Sequence, residues 1–186
     1  MRILSKEGKV LLEREGELPG ADLRGLDLLA AQLDGESLVG TDLSRAILTS
    51  ADLCEADLTD AILEGAIMEG VVCMDAIFDG ADLRGADLYW ALAFNASFRG
   101  AKLQEADFRG AGLQGADLTD ADLVGAKFGR DNLGGSTWLN ECRFDGSDLR
   151  GADLTAADLN LAVYDGRTRF PADFDPASRG MIRRVD

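Results

Sequence analysis

The chain has 186 residues and a formal charge of −15, from 19 Lys plus Arg against 34 Asp plus Glu. It contains no histidine, which removes histidine acid–base catalysis, Ser-His and Cys-His nucleophile pairs and most transition-metal sites. The acidity argues against a general nucleic-acid binder, and a hydrophobic share of 46% excludes wholesale disorder.

Residues 1–15 read as an N-terminal cap. Two apolar stretches, Arg2–Ser5 and Lys9–Glu13, flank a turn signal at Glu7-Gly8 and predict a hairpin or irregular strand. No apolar run here has signal-peptide or bilayer-spanning length, so a cytoplasmic protein without membrane contact is expected. The three cysteines, Cys54, Cys73 and Cys142, lack C-x-x-C spacing, which argues against a disulfide framework and a zinc site.

Residues 16–166 repeat every five. Call the central residue i. Thirty units fit, with i at 18, 23, 28 and onward to 133, then from 139 to 164. Of the 30 central residues, 21 are Leu and 5 are Phe (Phe78, Phe98, Phe108, Phe128, Phe144), so the slot is an interior one. Position i−2 is Ala in 21 units, i−1 is Asp in 13 and i+2 is Gly in 16. A period of five is neither the helical 3.6 nor the strand 2. It predicts a short extended segment followed by a corner, with i and i−2 pointing inward and i−1, i+1 and i+2 facing water. Glycine at i+2 suits a corner with positive φ.

These units resemble the pentapeptide-repeat family, whose motif is close to A(D/N)LXX, as in Ala51-Asp52-Leu53 and Ala116-Asp117-Leu118. The resemblance implies an all-β, right-handed quadrilateral β-helix in which four units make a 20-residue coil. Thirty units then give about 7.5 coils and a rod of roughly 36 Å at ~4.8 Å per coil. The spacing of core volumes agrees. Small Cys73 and Ala93 lie 20 apart, as do the large Phe78 and Phe98 that follow them.

One phase slip occurs, where Asp131–Ser136 gives six residues in place of five. A single extra residue bulging beside Gly134 and Gly135 is expected. Residues 167–186 form a C-terminal cap, with Phe170 and Phe174 over the last coil. Asp175-Pro176 predicts the start of a short helix to about Arg184.

The 13 aspartates at i−1 are read as backbone partners rather than metal ligands or catalysts. No catalytic, metal or cofactor residue emerges, and no enzyme is expected. The outward positions depart from polarity in one region. On the 20-residue coil, Val72 and Leu92 stack at i−1 of one face, Cys54, Met74 and Phe94 at i+1, with Tyr89 and Trp90 at the adjoining corner. Val72, Met74, Tyr89, Trp90, Leu92 and Phe94 are the candidate interface for a protein partner or for self-association as a dimer.

The family resemblance also implies an alternative. Some pentapeptide-repeat proteins resemble duplex DNA in size and charge, bind type II topoisomerases such as gyrase, and protect against quinolones. Duplex DNA of ~36 Å carries about 21 charges. Against this, the i−1 slot alone holds 13 of the 34 acids, leaving 21 acids to 19 bases elsewhere. The charge is thus largely a property of the repeat. The reading that follows is a non-enzymatic protein-interaction or scaffold module.

Overall fold

The computed structural model describes residues 2–13 and 15–185. Successive coils pair in parallel at residues 20 apart, as in Asp42 with Ile62, Ile47 with Ile67, Asp52 with Val72 and Asp57 with Ile77. Each 20-residue turn therefore has four faces. The first runs through Leu58, Phe78 and Phe98, and the second through Leu63, Leu83 and Leu103. The third runs through Met68, Leu88 and Phe108, and the fourth through Leu53, Cys73, Ala93 and Leu113. All these central side chains are fully buried.

The backbone explains why five residues suffice. In unit 41–45 the Thr41 amide donates to Leu38 O (3.0 Å), closing the preceding corner. Asp42 N donates to Ala21 O of the coil below (2.9 Å). Leu43 N and Arg45 N donate to Ile62 O (2.7 Å) and Glu64 O (3.0 Å) of the coil above. The fifth amide, on Ser44, faces outward and is taken by Asp42 Oδ1 at 3.0 Å. Every backbone donor of this unit is thus satisfied. All 13 aspartates at i−1 accept a bond from the amide two residues on. Their carboxylates serve the backbone, as the sequence predicts.

The i+2 corner adopts positive φ in all but the units ending at Arg130, Ala156 and Gly166. Glycine is the relaxed choice, yet twelve other residues take the conformation there, including Arg45, Glu55, Trp90 and Leu161.

At one end, β1 (Arg2–Ser5) pairs antiparallel with β2 (Val10–Glu13) and, on its other edge, with β3 (Ala31–Gln32). Ile3 is buried there against the core. At the other end, β4 (Val163–Tyr164) pairs in parallel with β5 (Ile182–Arg183). Tyr164, Phe170 and Phe174 pack on the last coil, with ring centroids 5.2 Å apart in each adjacent pair. The helix expected to reach Arg184 is instead a single 3-10 turn, Ala177–Arg179, and the chain then returns to the ladder as β5. Gly180 at φ 72° ends the turn and redirects the backbone, so Ile182 N bonds Ala162 O at 2.8 Å.

The phase slip is larger than one residue. Asp107 still pairs with Lys127, 20 residues on, but Gly112 pairs with Trp138, 26 on. Leu133, which fits the central slot by sequence, is 79% exposed. The unit it would head leaves the stack, and 29 units remain. The reason lies at i−2. From Thr41 onward that slot is buried, and Asp131 would have to fill it in mid-rod, leaving a charge in an apolar interior. Thr137 takes the slot instead, with Oγ1 donating to Phe108 O (3.0 Å) and accepting from Gly110 N (3.2 Å). Every unit from 139 onward consequently lies one face earlier than simple counting places it.

Cys73 and Cys142 are fully buried, and Cys54 is half-buried at i+1. Burial, aided by Asp52, raises the Cys54 thiol. A native thiol titration is expected to find one slowly reacting cysteine, and three after denaturation. Two or more reacting in the native state would contradict the packing.

Candidate interaction face

The register shift decides the composition of the fourth face. Its i−1 column reads Asp52, Val72, Leu92, Gly112, Trp138 and Asp158. Its i+1 column places Met74 and Phe94 beside Val72 and Leu92. Counting through the slip as one extra residue puts Trp138 on the neighbouring face, so sequence reasoning missed it. The Phe94 and Trp138 rings stack with centroids 6.3 Å apart. Glycine at 112 makes this fit, because a Cβ there would lie 2.7 Å from the Phe94 ring. Leu92 is 39%, Met74 37% and Trp138 52% exposed, whereas Val72 and Phe94 are half-buried.

Tyr89 and Trp90 stack at 5.3 Å on the corner beside this face. They are not free. The 130–136 insert folds back onto them, so that Trp90 Nε1 donates to Asp131 Oδ2 at 2.7 Å. The Asn132 amide donates to the Tyr89 hydroxyl oxygen at 3.0 Å. Asp131 also accepts from the amides of Leu133 (2.8 Å) and Gly135 (2.6 Å). These bonds, led by that from Trp90, hold the Asp131 carboxyl below the usual range. The Arg109 guanidinium lies 5.7 Å from the Tyr89 ring centre. Trp90 itself sits at φ 55°, a conformation that costs a bulky residue about 1–3 kcal/mol and persists only where surroundings hold it.

The six candidate residues therefore divide. Val72, Met74, Leu92 and Phe94 share the exposed fourth face. Tyr89 and Trp90 form the corner post that anchors the insert. Trp138 completes the surface. Both tryptophans of the protein lie here.

Among the described residues, no group of three or more His, Cys, Asp or Glu side chains is placed to hold a metal ion. No helix there is long and apolar enough to cross a membrane.

A family model for pentapeptide repeats matches residues 37–72, 56–92, 94–130 and 136–163, with 8 copies. Its matches skip 131–135, the segment that leaves the stack. No curated protein matches the chain. Among solved structures, HetL of the cyanobacterium Nostoc sp. strain PCC 7120 is a pentapeptide repeat protein involved in heterocyst differentiation regulation. It is 28% identical, with a TM-score of 0.56 over 87% of this chain and 76% of that one. QnrB1, a plasmid-mediated fluoroquinolone resistance protein, is 20% identical, with a TM-score of 0.58 over 90% and 91%. At that identity the likeness is one of fold alone. The tandem units, the 20-residue four-faced coil and the family model agree, and the chain belongs to the pentapeptide-repeat family.

Proposed function

We propose that this protein is a non-enzymatic, cytoplasmic protein-interaction module whose contact surface is the fourth face. One observation carries the reading. Val72, Leu92 and Trp138 form an outward apolar column, with Met74 and Phe94 beside it, on a rod whose outward slots are otherwise mostly polar. Apolar and aromatic side chains clustered in this way characterise the centre of protein interfaces. The aspartates that invite a catalytic reading are consumed by the backbone. Three unpaired thiols suit a reducing compartment.

The alternative, DNA mimicry toward a type II topoisomerase, draws less support from the charge distribution. Residues 46–83 contain nine acids and no Lys or Arg, so they carry −9 of the −15. The remaining coils and both ends share −6 over a length where duplex DNA would carry about 15 charges. Several aspartates outside that block are neutralised by their own i+1 arginine, as in Arg109–Asp107 (2.6 Å) and Arg150–Asp148 (2.7 Å).

The double variant Leu92→Lys/Trp138→Ser tests the module. Both side chains are largely outward, so the fold should survive by circular dichroism. Light scattering for self-association and affinity capture from the native cell are both expected to lose signal relative to the parent chain. If both are unchanged, the fourth face is not the contact surface. A gyrase supercoiling assay run in parallel is expected to show no effect, and salt-sensitive inhibition there would favour mimicry.

A further inference from the structure

Two independent departures from the repeat fall in the same coils. In four consecutive units the i−1 aspartate is replaced by a β-branched apolar residue: Ile62, Ile67, Val72 and Ile77. The amides of Glu64, Glu69, Met74 and Asp79 thereby lose the side-chain clasp that all 13 aspartate units possess. The same stretch, 46–83, is the longest without a cation. Among its described acids, Asp52, Glu55, Asp57, Asp60, Glu69, Asp75 and Asp79 form no ion pair. Glu64 and Asp82 reach Arg84 just outside it. Outside it eight rod carboxylates meet an arginine, as Asp107 does Arg109 and Asp148 does Arg150, whereas within it only Glu64 and Asp82 meet a cation. Neither feature helps a water-facing solenoid. Apolar side chains at solvent positions gain little from burial, and uncompensated like charges repel.

We propose that the fourth face, with the acidic corner of Glu55 and Asp75, docks a cationic amphipathic segment of a protein partner. This deepens the module reading and rests on it. Glu55 and Asp75 stand one above the other at the corner between the fourth and first faces, with Glu55 N bonded to Met74 O at 2.9 Å. Both are exposed and face outward at positive φ. Asp75 stands at the corner of the Val72 and Met74 rung, and Glu55 at the rung of Asp52 and Cys54 next to it. The negative rail therefore lies at one end of the apolar column, and Asn95 holds the same corner beside Leu92 and Phe94. Trp90 and the 130–136 insert stand on the opposite side of the same face. Rungs repeat at ~4.8 Å, close to the 5.4 Å rise of one helical turn. A helix lying along the rod axis can therefore set one apolar side chain of each turn against each rung. Its lysines or arginines then meet the rail. Charge complementarity of this kind fixes orientation and speeds encounter.

The test uses the full chain and three labelled peptides of about 18 residues, enough for roughly five helical turns. One is a Lys/Leu amphipath, one a Lys/Ser peptide of equal charge without an apolar face, and one a Glu/Leu amphipath. Anisotropy reports binding, and tryptophan emission reports the site, because both tryptophans border it. The Lys/Leu peptide is expected to bind and to shift tryptophan emission. Glu55→Lys/Asp75→Lys and, separately, Leu92→Lys should each weaken it about tenfold or more. The charge-matched Glu7→Lys/Glu17→Lys, far from the face, should weaken it about twofold or less. Equal binding of the Lys/Ser or Glu/Leu peptide overturns the proposal, as does equal weakening by the two double charge variants. If no Lys/Leu binding is found while partner capture still depends on Leu92 and Trp138, this inference falls and the module reading stands.

Discussion

Replacing Phe98 with alanine should lower the unfolding free energy by about 3–5 kcal/mol, read by urea denaturation with circular dichroism. Phe98 is fully buried and lies 4.8 Å from Phe78 in a parallel stack, with Phe108 edge-on at 6.2 Å. Its neighbours at the same levels are Cys73 and Ala93, both fully buried, which leave the room the two rings occupy. Truncation therefore opens a cavity in the middle of the rod. The two ladders of backbone hydrogen bonds fix the coil, so the walls cannot collapse to fill it. The compensation is itself testable. Ala93→Leu should be costly alone, through overpacking, and less costly with Phe98→Ala, with a coupling of about 0.5–3 kcal/mol. Additive losses would show that these two slots do not share volume.

The second large effect is expected at Asp165. This nearly buried carboxylate accepts from the amides of Gly146 (2.9 Å), Arg167 (2.9 Å) and Thr168 (3.1 Å), and from Arg167 Nε (2.9 Å). It ties the last coils to the tail. Asp165→Ala should cost about 2–4 kcal/mol, because three amides and a guanidinium lose a shared charged acceptor. Solenoid ends can open separately from the middle. Loss of hydrogen-exchange protection at Gly146, Arg167 and Thr168 should therefore exceed any change near Phe98.

The same site gives a pH dependence. Burial pushes the Asp165 carboxyl upward, but the amide and guanidinium bonds outweigh it and hold the group well below the ordinary value. Asp107 and Asp117 are likewise held down against burial, and Asp82 and Asp148 chiefly by Arg84 and Arg150. Depressed folded-state values mean stability fully present above the unfolded value of about 3.9 and lost as pH falls through the lower folded values. The urea midpoint should be nearly flat from about pH 8 to 5 and fall below about pH 4, less steeply in Asp165→Asn. An equal acid slope in that variant would remove Asp165 from the account.

The inward and outward slots are legible in the residues alone. A five-residue period with a large apolar i, a small i−2 and glycine at i+2 admits one arrangement of inward and outward side chains. The aspartates at i−1 follow from the single amide each unit leaves unpaired. The same period marks Val72, Met74, Leu92 and Phe94 as outward and apolar, because those positions lie before the slip and count correctly. Packing between coils settles what period-counting does not. At 131–135 a leucine matches the pattern locally, but Asp131 would need burial. The energetics of that one slot expel the whole unit. The expulsion rotates every later unit by one face and brings Trp138 above Gly112 and beside Phe94. It also frees Asp131 and Asn132 to bond Trp90 and Tyr89, 41 and 43 residues away. The C-terminal segment shows the same limit. Asp175-Pro176 is a sound local helix start, but the open edge of the last coil offers backbone partners that a continued helix would leave unused. The chain turns at Gly180 and pairs with that edge.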